Sequence, residues 1–273
     1  MTETSSWRPL GRPAGSTQDV VLAVNYTVAG RPEASFADLK SNFATPIPLW
    51  ETVPPPPGSE KGMTADEYVT RWTDDVRRSG RSVRAILGNC AGSAYLPALS
   101  SRISEWQEDS PVQVVFDPEP PSALMLYVQF HQILTSVGSL LSADELKNAQ
   151  QSGQQLMHEI DDLAQLADAL TDLFAQAGGT AFSRLGLNQK RSTEMVTLFS
   201  SYLAYLVTAG QVTTPDAWAS AVAVSSSTPT SGLNRIPEHE RVTRVAQEMR
   251  FDVDHEELLR SPLVARAVEG IIS

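Results

Sequence analysis

The sequence predicts an α/β fold in which a mostly parallel central sheet carries helices on both of its faces. Short apolar runs of strand type alternate with helical patterns over residues 19–121, as is typical of a parallel sheet with crossover helices. The same alternation returns over residues 216–273. The block between them, residues 122–215, has helical periodicity and almost no strand signal. We therefore expect one α/β core that carries an all-helical insertion.

Each strand of the core is predicted from a short run that is apolar at consecutive positions, as expected of a strand buried on both faces. The strand-type runs are Val20–Val24, Ile47–Trp50, Val83–Leu87, Val112–Phe116 and Trp218–Val224. The segment 241–253 fits either a helix or a strand. Pro54–Pro57 and Gly58 predict a stiff loop that leaves a strand, with docking to a partner domain as the alternative.

The helices between the strands are predicted from apolar spacing and from one cap. Thr64-Ala-Asp-Glu67 fits a capping box that opens a helix. The predicted core helices cover residues 36–43, 65–78, 94–106 and 258–272.

The domain organisation follows from these changes in texture. Residues 1–18 are polar and rich in Gly, Pro and Ser, so we expect a flexible N-terminal arm. Residues 19–121 and 216–273 form the α/β core, and residues 122–215 form a helical lid insertion. The apolar stripes of the insertion predict helix packing, and some of their faces are candidates to line a substrate channel.

Composition excludes several classes of protein. The chain of 273 residues has 21 basic and 32 acidic residues, a net charge of −11, which argues against a general nucleic-acid binder. Its single cysteine excludes a disulfide framework and a cysteine-based zinc site, and we expect no metal. The uninterrupted apolar runs are too short for a membrane span, and the N-terminus lacks a signal-peptide pattern. We therefore expect a cytoplasmic protein with no membrane partner.

The segment Gly88-Asn-Cys-Ala-Gly92 carries the clearest chemical signal. It follows a predicted strand and precedes a predicted helix, which is the setting of a nucleophile elbow, G-x-S-x-G, here with cysteine. Gly88 and Gly92 allow the sharp turn because larger side chains there would collide with the neighbouring strand and helix. Cys90 is then the nucleophile, with its thiolate favoured by the helix N-terminus, and the Ala91 N–H lines the oxyanion hole. The alternative is an inert buried cysteine.

A thiol nucleophile needs a base, and the chain has four histidines. His131 and His158 lie in the helical insertion, where a structural role is expected. His255 follows the predicted last strand and precedes the closing helix. The histidine is expected at this late position where the nucleophile comes first in the chain, the acid second and the histidine last. His239 is the second candidate.

The acid is expected at the carboxyl end of the strand Val112–Phe116. Asp117 ends that strand, and a carboxylate there points into the crevice where sites of such folds form. Glu119 is the alternative acid. A structural reading of Asp117, as the residue that opens a proline-rich loop, stays open.

The order of these features resembles the thioesterase domains of nonribosomal peptide and polyketide biosynthesis, which are α/β-hydrolases. The resemblance covers about residues 19–273. Asp117 follows Cys90 by 27 residues, from 90 to 117, close to the family's spacing of acid and nucleophile. The family's histidine heads a His-Phe-x-x-Leu segment before a closing helix, and His255-Glu-Glu-Leu-Leu259 matches that segment apart from the aromatic residue.

Two features depart from this family. Cys90 replaces the usual serine, and Asn25–Gly30 replaces the usual oxyanion loop. We assign the second oxyanion N–H to Tyr26 or Thr27. Dienelactone hydrolases also resemble this elbow and use cysteine, but their acid lies on a later strand and they lack a lid of this size.

The resemblance implies an enzyme with a Cys90–His255–Asp117 triad. It would take an acyl or peptidyl group from an acyl or peptidyl carrier protein, tethered through phosphopantetheine, and would use no other cofactor. The acyl-cysteine could pass to water, an amine, a thiol or an internal hydroxyl, which gives hydrolysis, transfer or cyclisation. Two alternatives stay open: a small ester or lactone hydrolase, and a catalytically silent α/β-hydrolase-fold binding protein.

Overall fold

A seven-stranded sheet organises the core of the computed structural model, which describes residues 6–11, 18–26, 33–60, 62–184, 186–214 and 216–273. Within those residues the spatial order of the strands is β1-β3-β2-β4-β5-β6-β7. β1 pairs with its neighbour antiparallel, and every other pairing is parallel. The strands are β1 (Trp7–Leu10), β2 (Asp19–Val24), β3 (Leu49–Thr52), β4 (Ser82–Asn89), β5 (Val112–Phe116), β6 (Val222–Ser225) and β7 (Gln247–Arg250).

Helices connect these strands, and two short 3₁₀ segments matter for the site, Cys90–Tyr95 and His255–Arg260. The α-helices are α1 (Phe36–Ser41), α2 (Ala65–Ser79), α3 (Leu96–Ile103), α4 (Ala123–Ser136), α5 (Ala143–Glu159), α6 (Leu163–Arg184), α7 (Gln189–Val212), α8 (Glu238–Arg241) and α9 (Pro262–Ile272). The predicted capping box is present: Thr64 and Glu67 cap each other's backbone at the start of α2. Such a cap is worth about 1 kcal/mol.

The predicted parallel sheet is confirmed, because the apolar runs lie in buried strands. Val20–Val24 of β2 and the last three residues of β5 are almost fully shielded from solvent, as a sheet covered on both faces requires. The run Trp218–Val224 was predicted as a strand, but only its end, in β6, pairs with the sheet. Trp218 instead lies in a turn, where its indole N–H donates to the Ser93 carbonyl over 2.9 Å.

The flexible arm expected over residues 1–18 is wrong for residues 6–11, which the structure describes. Trp7–Leu10 forms the antiparallel edge strand β1 on β3. The Trp7 side chain is buried, and its indole N–H donates to the Trp72 carbonyl of α2 over 2.9 Å. The backbone N–H of Ser6 donates to Asp75 over 2.8 Å. A large buried aromatic side chain and two long-range hydrogen bonds fix this segment despite its polar composition.

The described chain divides into two compact units. The α/β unit comprises residues 1–54, 64–120 and 211–273, and it holds the whole sheet. The helical unit comprises Pro55–Met63 and Pro121–Gly210. The insertion that the sequence predicts over 122–215 leaves out Pro55–Met63, because the proline run there predicts a loop that leaves a strand of the core.

The helical unit has its own aromatic core. The Phe174 ring packs against those of Phe199 and Phe182, with ring centres 4.9 and 6.0 Å apart. Pro55–Met63 joins this unit through Ser201 of α7, which accepts a hydrogen bond from the Gly58 N–H over 3.1 Å and donates one to the buried carboxylate of Glu60 over 2.8 Å.

Among the residues that the structure describes, α7 is the one helix that is long enough and apolar enough to cross a membrane, by length and composition only. No uninterrupted apolar run marks α7 in the sequence, because Ser, Thr and Gly residues interrupt it. The core helix of a globular protein meets the same criteria, and α7 buries Phe199, Leu203 and Leu206 in the protein.

Candidate active site

The segment after β4 has the backbone of a nucleophile elbow. β4 ends at Asn89, and Cys90 adopts a left-handed conformation with φ of +49°. Non-glycine residues rarely adopt this conformation, and where they do it marks strain that the surrounding structure sustains. The chain continues at once into the 3₁₀ segment Cys90–Tyr95 and then into α3. The predicted strand–turn–helix setting is therefore present, with a 3₁₀ turn leading into the helix.

The elbow is held tightly around Gly88. A Cβ atom on Gly88 would lie 2.6 Å from Leu96 Cδ1 and 2.7 Å from the Cα of Ser93. The Ser93 hydroxyl donates to the Gly88 carbonyl over 2.9 Å. These contacts explain why glycine is needed at position 88. Gly92 is buried in the same turn.

Cys90 and Asp117 lie at the carboxyl ends of adjacent parallel strands. Asn89, the last residue of β4, is paired with Phe116, the last residue of β5. Cys90 and Asp117 are the residues that follow this pair, and both are left-handed, Asp117 with φ of +39°. In open α/β sheets, sites form in the crevice outside the carboxyl ends of the strands.

His255 lies against Asp117. Its ring Nδ1 is 2.7 Å from Asp117 Oδ2, and the Asp117 side chain is fully shielded from solvent. The other carboxylate oxygen, Oδ1, accepts the Ser226 backbone N–H over 2.9 Å. Both carboxylate oxygens are thus occupied, so the orientation of the acid is fixed. A carboxylate on Nδ1 leaves Nε2 of the imidazole for proton transfer.

The environment of His255 shifts its titration. Burial acts to lower the pKa of His255, but the hydrogen bond and the charge of Asp117 outweigh burial and hold that pKa above its ordinary value. The charges of Glu33 and Glu256 act in the same direction. His255 therefore carries a proton to higher pH than a typical histidine.

The alternative acid and base lie elsewhere. Glu119 forms an ion pair with Arg235. His239 has a side chain that is 82% exposed and lies 3.8 Å from Glu240. His131 and His158 are in the helical unit, on α4 and α5. The structure thus brings together Asp117 and His255 and neither alternative.

The candidate oxyanion groups flank the elbow. Ala91 is buried in the first turn after Cys90. Tyr26 is buried just beyond β2, whose residue Val24 is paired with Gly88. Asn25 is anchored there, since its N–H donates to Thr52 Oγ1 over 3.0 Å. Thr27, the other candidate, lies outside the described residues.

The described part of the chain was searched for side chains that could together bind a metal ion. No group of three or more His, Cys, Asp or Glu side chains is placed there to hold a metal ion.

Comparison with known proteins finds matches among solved structures only. No protein-family model and no curated protein matches the sequence. Among solved structures, a holo four-domain nonribosomal peptide synthetase, AB3403, bound to AMP and glycine is similar with a TM-score of 0.62 at 15% identity. The match covers 98% of this chain and 20% of that synthetase, so this chain spans only a small part of it.

Two isolated thioesterase domains match over nearly their whole length. The Vlm2 thioesterase domain bound with a dodecadepsipeptide has a TM-score of 0.56 at 14% identity, with 99% of both chains covered. The NocB thioesterase domain, in covalent complex with a fluorophosphonate nocardicin G analogue, has a TM-score of 0.53 at 13% identity, covering 97% of this chain and 98% of that one. The chain has an α/β-hydrolase fold. At these identities the likeness establishes the fold alone.

The α/β-hydrolase fold places further residues at this site that the sequence analysis missed. Ser226 binds the acid, and Thr228 Oγ1 accepts the His255 backbone N–H over 2.8 Å. Both lie in the polar loop after β6, which carries no local motif. Only the strand order of this fold, which sets β6 beside β5, brings that loop to Asp117.

Proposed function

We propose that the protein is a thioesterase-like enzyme of nonribosomal peptide or polyketide biosynthesis. It takes an acyl or peptidyl group from the phosphopantetheine thioester of a carrier protein onto Cys90. It then releases, cyclises or transfers that group. Water, an amine, a thiol or an internal hydroxyl of the acyl chain serves as the acceptor.

One observation carries this proposal: Cys90 and Asp117 follow the paired ends of β4 and β5, both left-handed, and His255 is hydrogen-bonded to Asp117. A nucleophile, a base and a residue that orients the base are the parts that acyl transfer requires. Further support comes from the thioesterase domains of similar fold, one of which is in covalent complex with a fluorophosphonate nocardicin G analogue.

In the acylation step, the Cys90 sulfur forms a bond to the thioester carbonyl carbon. His255 takes the thiol proton through Nε2, while Asp117 holds the ring and stabilises the imidazolium. The bond from that carbon to the pantetheine sulfur breaks, and the departing sulfur receives the proton. The N–H groups of Ala91 and of Tyr26 or Thr27 are assigned to the carbonyl oxygen as it becomes negative.

In the second step, the acceptor attacks the acyl-Cys90 carbonyl. His255 removes the acceptor's proton, the bond to the Cys90 sulfur breaks, and the sulfur receives the proton. Because the first step exchanges one thioester for another, the acyl group stays activated on the enzyme. Cysteine in place of serine therefore suits an enzyme that hands its acyl group to acceptors weaker than hydroxide.

The test is intact-protein mass spectrometry after mixing with a panel of acyl-pantetheine thioesters. Wild type should gain the mass of the acyl group, and Cys90→Ala should not. Neutral hydroxylamine should remove the adduct because it is a thioester, and since the chain has one cysteine, this lability locates it at residue 90. His255→Ala, which keeps the thiol, should acylate far more slowly.

Two results would contradict the proposal. Turnover of free small esters or lactones without reaction of acyl-pantetheine would assign the site to a small-ester hydrolase. No adduct and no consumption of any ester or thioester would assign the fold to a binding protein. With an adduct in hand, amines, thiols and water offered in turn identify the acceptor by which of them discharges it.

A further inference from the structure

The loop after β6 makes contact with both members of the acid–histidine pair. Ser226 donates its N–H to Asp117 Oδ1 over 2.9 Å, and Thr228 Oγ1 accepts the His255 N–H over 2.8 Å. The Thr228 N–H in turn donates to Ser226 Oγ over 3.3 Å. The conformation of residues 226–228 therefore decides where the carboxylate and the imidazole lie relative to each other.

One side chain bridges this stretch. The Asn234 amide nitrogen donates to the Ser226 carbonyl over 2.9 Å and to the Thr228 carbonyl over 2.8 Å. An asparagine amide has two N–H donors, so both are used on the two residues that contact the pair. Arg241 lies on the other side, with Nη1 3.5 Å from Asn234 Oδ1, which orients the amide with its nitrogen toward the loop.

Gly232 packs the same loop against the acid. A Cβ atom on Gly232 would lie 2.6 Å from the Asp117 Cα and 2.7 Å from its carbonyl carbon, and Gly232 is itself left-handed with φ of +52°. The backbone of Asp117 thus rests directly on Gly232. We call Ser226, Thr228, Gly232 and Asn234 the acid–histidine clasp.

We propose that Asn234 is a positioning residue for the reaction: by bridging the Ser226 and Thr228 carbonyls, it holds the clasp in the one conformation that aligns Asp117 with His255. The inference rests on the proposed function for its kinetic consequence, but its geometric consequence can be measured without substrate. Asn234 acts through Ser226 and Thr228 and is assigned no contact with the reacting atoms.

The test compares Asn234→Leu and Asn234→Ala with wild type. Leucine has nearly the same size as asparagine but offers no N–H donor, so it breaks the bridge without leaving a void and without adding a charge beside His255. The readout is the pKa of His255, followed by NMR titration of the labelled ring and assigned with His255→Asn. Asp117, Glu33 and Glu256 are the acidic groups that set this pKa in wild type.

Both Asn234 variants should lower the His255 pKa toward that of Asp117→Asn, because burial then acts with a weaker opposing hydrogen bond. They should lower kcat for thioester turnover by about tenfold, the scale expected of a small misplacement of a catalytic group, with KM nearly unchanged. Thr228→Val should act in the same way, and Thr228→Ser, which keeps the hydroxyl acceptor, should restore wild-type values.

Asn42→Ala is the matched control. The Asn42 amide also donates to two backbone carbonyls in the α/β unit, those of Asp38 and Arg260, over 3.1 and 3.0 Å. It should lower thermal stability without moving the His255 pKa.

Two results would overturn the positioning role. The first is Asn234 variants that fold, lose stability like Asn42→Ala and keep the wild-type His255 pKa. The second, should those variants fail to fold, is Thr228→Val with an unchanged pKa. If wild type turns over no thioester, the proposed function fails, and the titration still decides the role of Asn234.

Discussion

The elbow around Cys90 is stabilised by neighbours in sequence, whereas the acid–histidine clasp joins segments that are more than a hundred residues apart. Gly88, Ser93 and Leu96 contact one another within a single strand–turn–helix passage. Ser226 of the clasp and the His255 that it helps to place contact Asp117 across 109 and 138 residues of chain. The elbow is thus encoded locally, and the clasp depends on the whole sheet being assembled.

The two regions should therefore respond differently to mutation. A local turn carries its own strain and tolerates loss of distant contacts. The clasp, by contrast, has few hydrogen bonds, so loss of one should misalign Asp117 and His255 while the strands stay folded. Substitutions in the elbow should therefore affect stability and nucleophile together, and substitutions in the clasp should affect chiefly the acid–base chemistry.

The largest effect is expected for Asp117→Asn, which removes the charge at the centre of the clasp. Loss of the carboxylate that orients His255 should lower kcat/KM for acylation by about 10³-fold or more. The base acts only when it is neutral, so in wild type the rate should fall as pH drops through the raised pKa of His255. In the variant this fall should move to lower pH, because burial without the carboxylate lowers that pKa. A pH profile of kcat/KM measures both effects.

Restoration of the wild-type profile by Asp117→Glu would show that charge suffices, and would argue against a tightly aligned clasp. A profile that is unchanged in Asp117→Asn would contradict the assignment of His255 as the base.

The next effect is expected for Gly232→Ala, which breaks the clasp from its backbone side. The added Cβ would meet the Asp117 backbone, and overpacking of this kind costs about 1–3 kcal/mol. The left-handed φ adds about 1 kcal/mol. We expect a lower free energy of unfolding and a loss of acylation beyond it, measured by denaturation and by mass spectrometry.

Gly80→Ala separates the two causes. Gly80 is also left-handed, with φ of +68°, but nothing lies within 4 Å of its Cβ position. It should show the backbone cost alone with normal acylation. Equal losses in the two variants would remove the steric argument for Gly232.

A smaller effect is expected for Gly88→Ala in the elbow. The added methyl meets Leu96 Cδ1, which can move, and the Ser93 backbone, which cannot move without shifting the turn. Overpacking here should cost about 1–2 kcal/mol and should slow alkylation of Cys90 by iodoacetamide. Gly270→Ala in α9, where nothing lies within 4 Å, is the control: it should leave alkylation unchanged and should not lower the free energy of unfolding, because alanine favours a helix more than glycine. A Gly88→Ala protein with wild-type stability and reactivity would contradict the close packing of the elbow.

The smallest effect is expected for Trp218→Phe. Loss of the indole N–H leaves the Ser93 carbonyl without its long-range donor, which costs about 1 kcal/mol. Because the elbow has its own local bonds, acylation should stay within about twofold of wild type, a change of less than 0.5 kcal/mol. Trp106→Phe is the control, since among the described residues the Trp106 indole N–H donates no hydrogen bond. A Trp218→Phe protein that loses acylation would show that the elbow, too, depends on distant support.

Features whose signals lie close together in the sequence could be predicted from it, and features that depend on distant contacts could not. The strands, the capping box at Thr64 and the elbow at Cys90 were predicted because their signals lie within a few neighbouring residues. Asp117 and His255 were chosen from their places in the order of elements, and the structure brings them together.

Other features had no local signal. Trp7–Leu10 looks like a polar tail in sequence, and only the buried contact of Trp7 with α2 makes it a strand. Gly232 and Asn234 are ordinary loop residues until β6 is set beside β5. The long-range contacts that assign their roles are products of tertiary structure, which periodicity and spacing do not encode.

The segment Pro55–Met63 has a consequence for engineering. Although it follows β3 in sequence, it folds with the helical unit, and Glu60 and Gly58 depend on Ser201. The chain therefore passes between the two units four times, after Pro54, Met63, Pro120 and Gly210. A chimera that exchanges only residues 121–210 would replace Ser201 and leave the buried Glu60 carboxylate without this hydrogen-bond donor. To move the helical unit into another protein, both of its segments, Pro55–Met63 and Pro121–Gly210, must be moved together. Hybrids with breakpoints at the ends of both segments are the ones expected to fold.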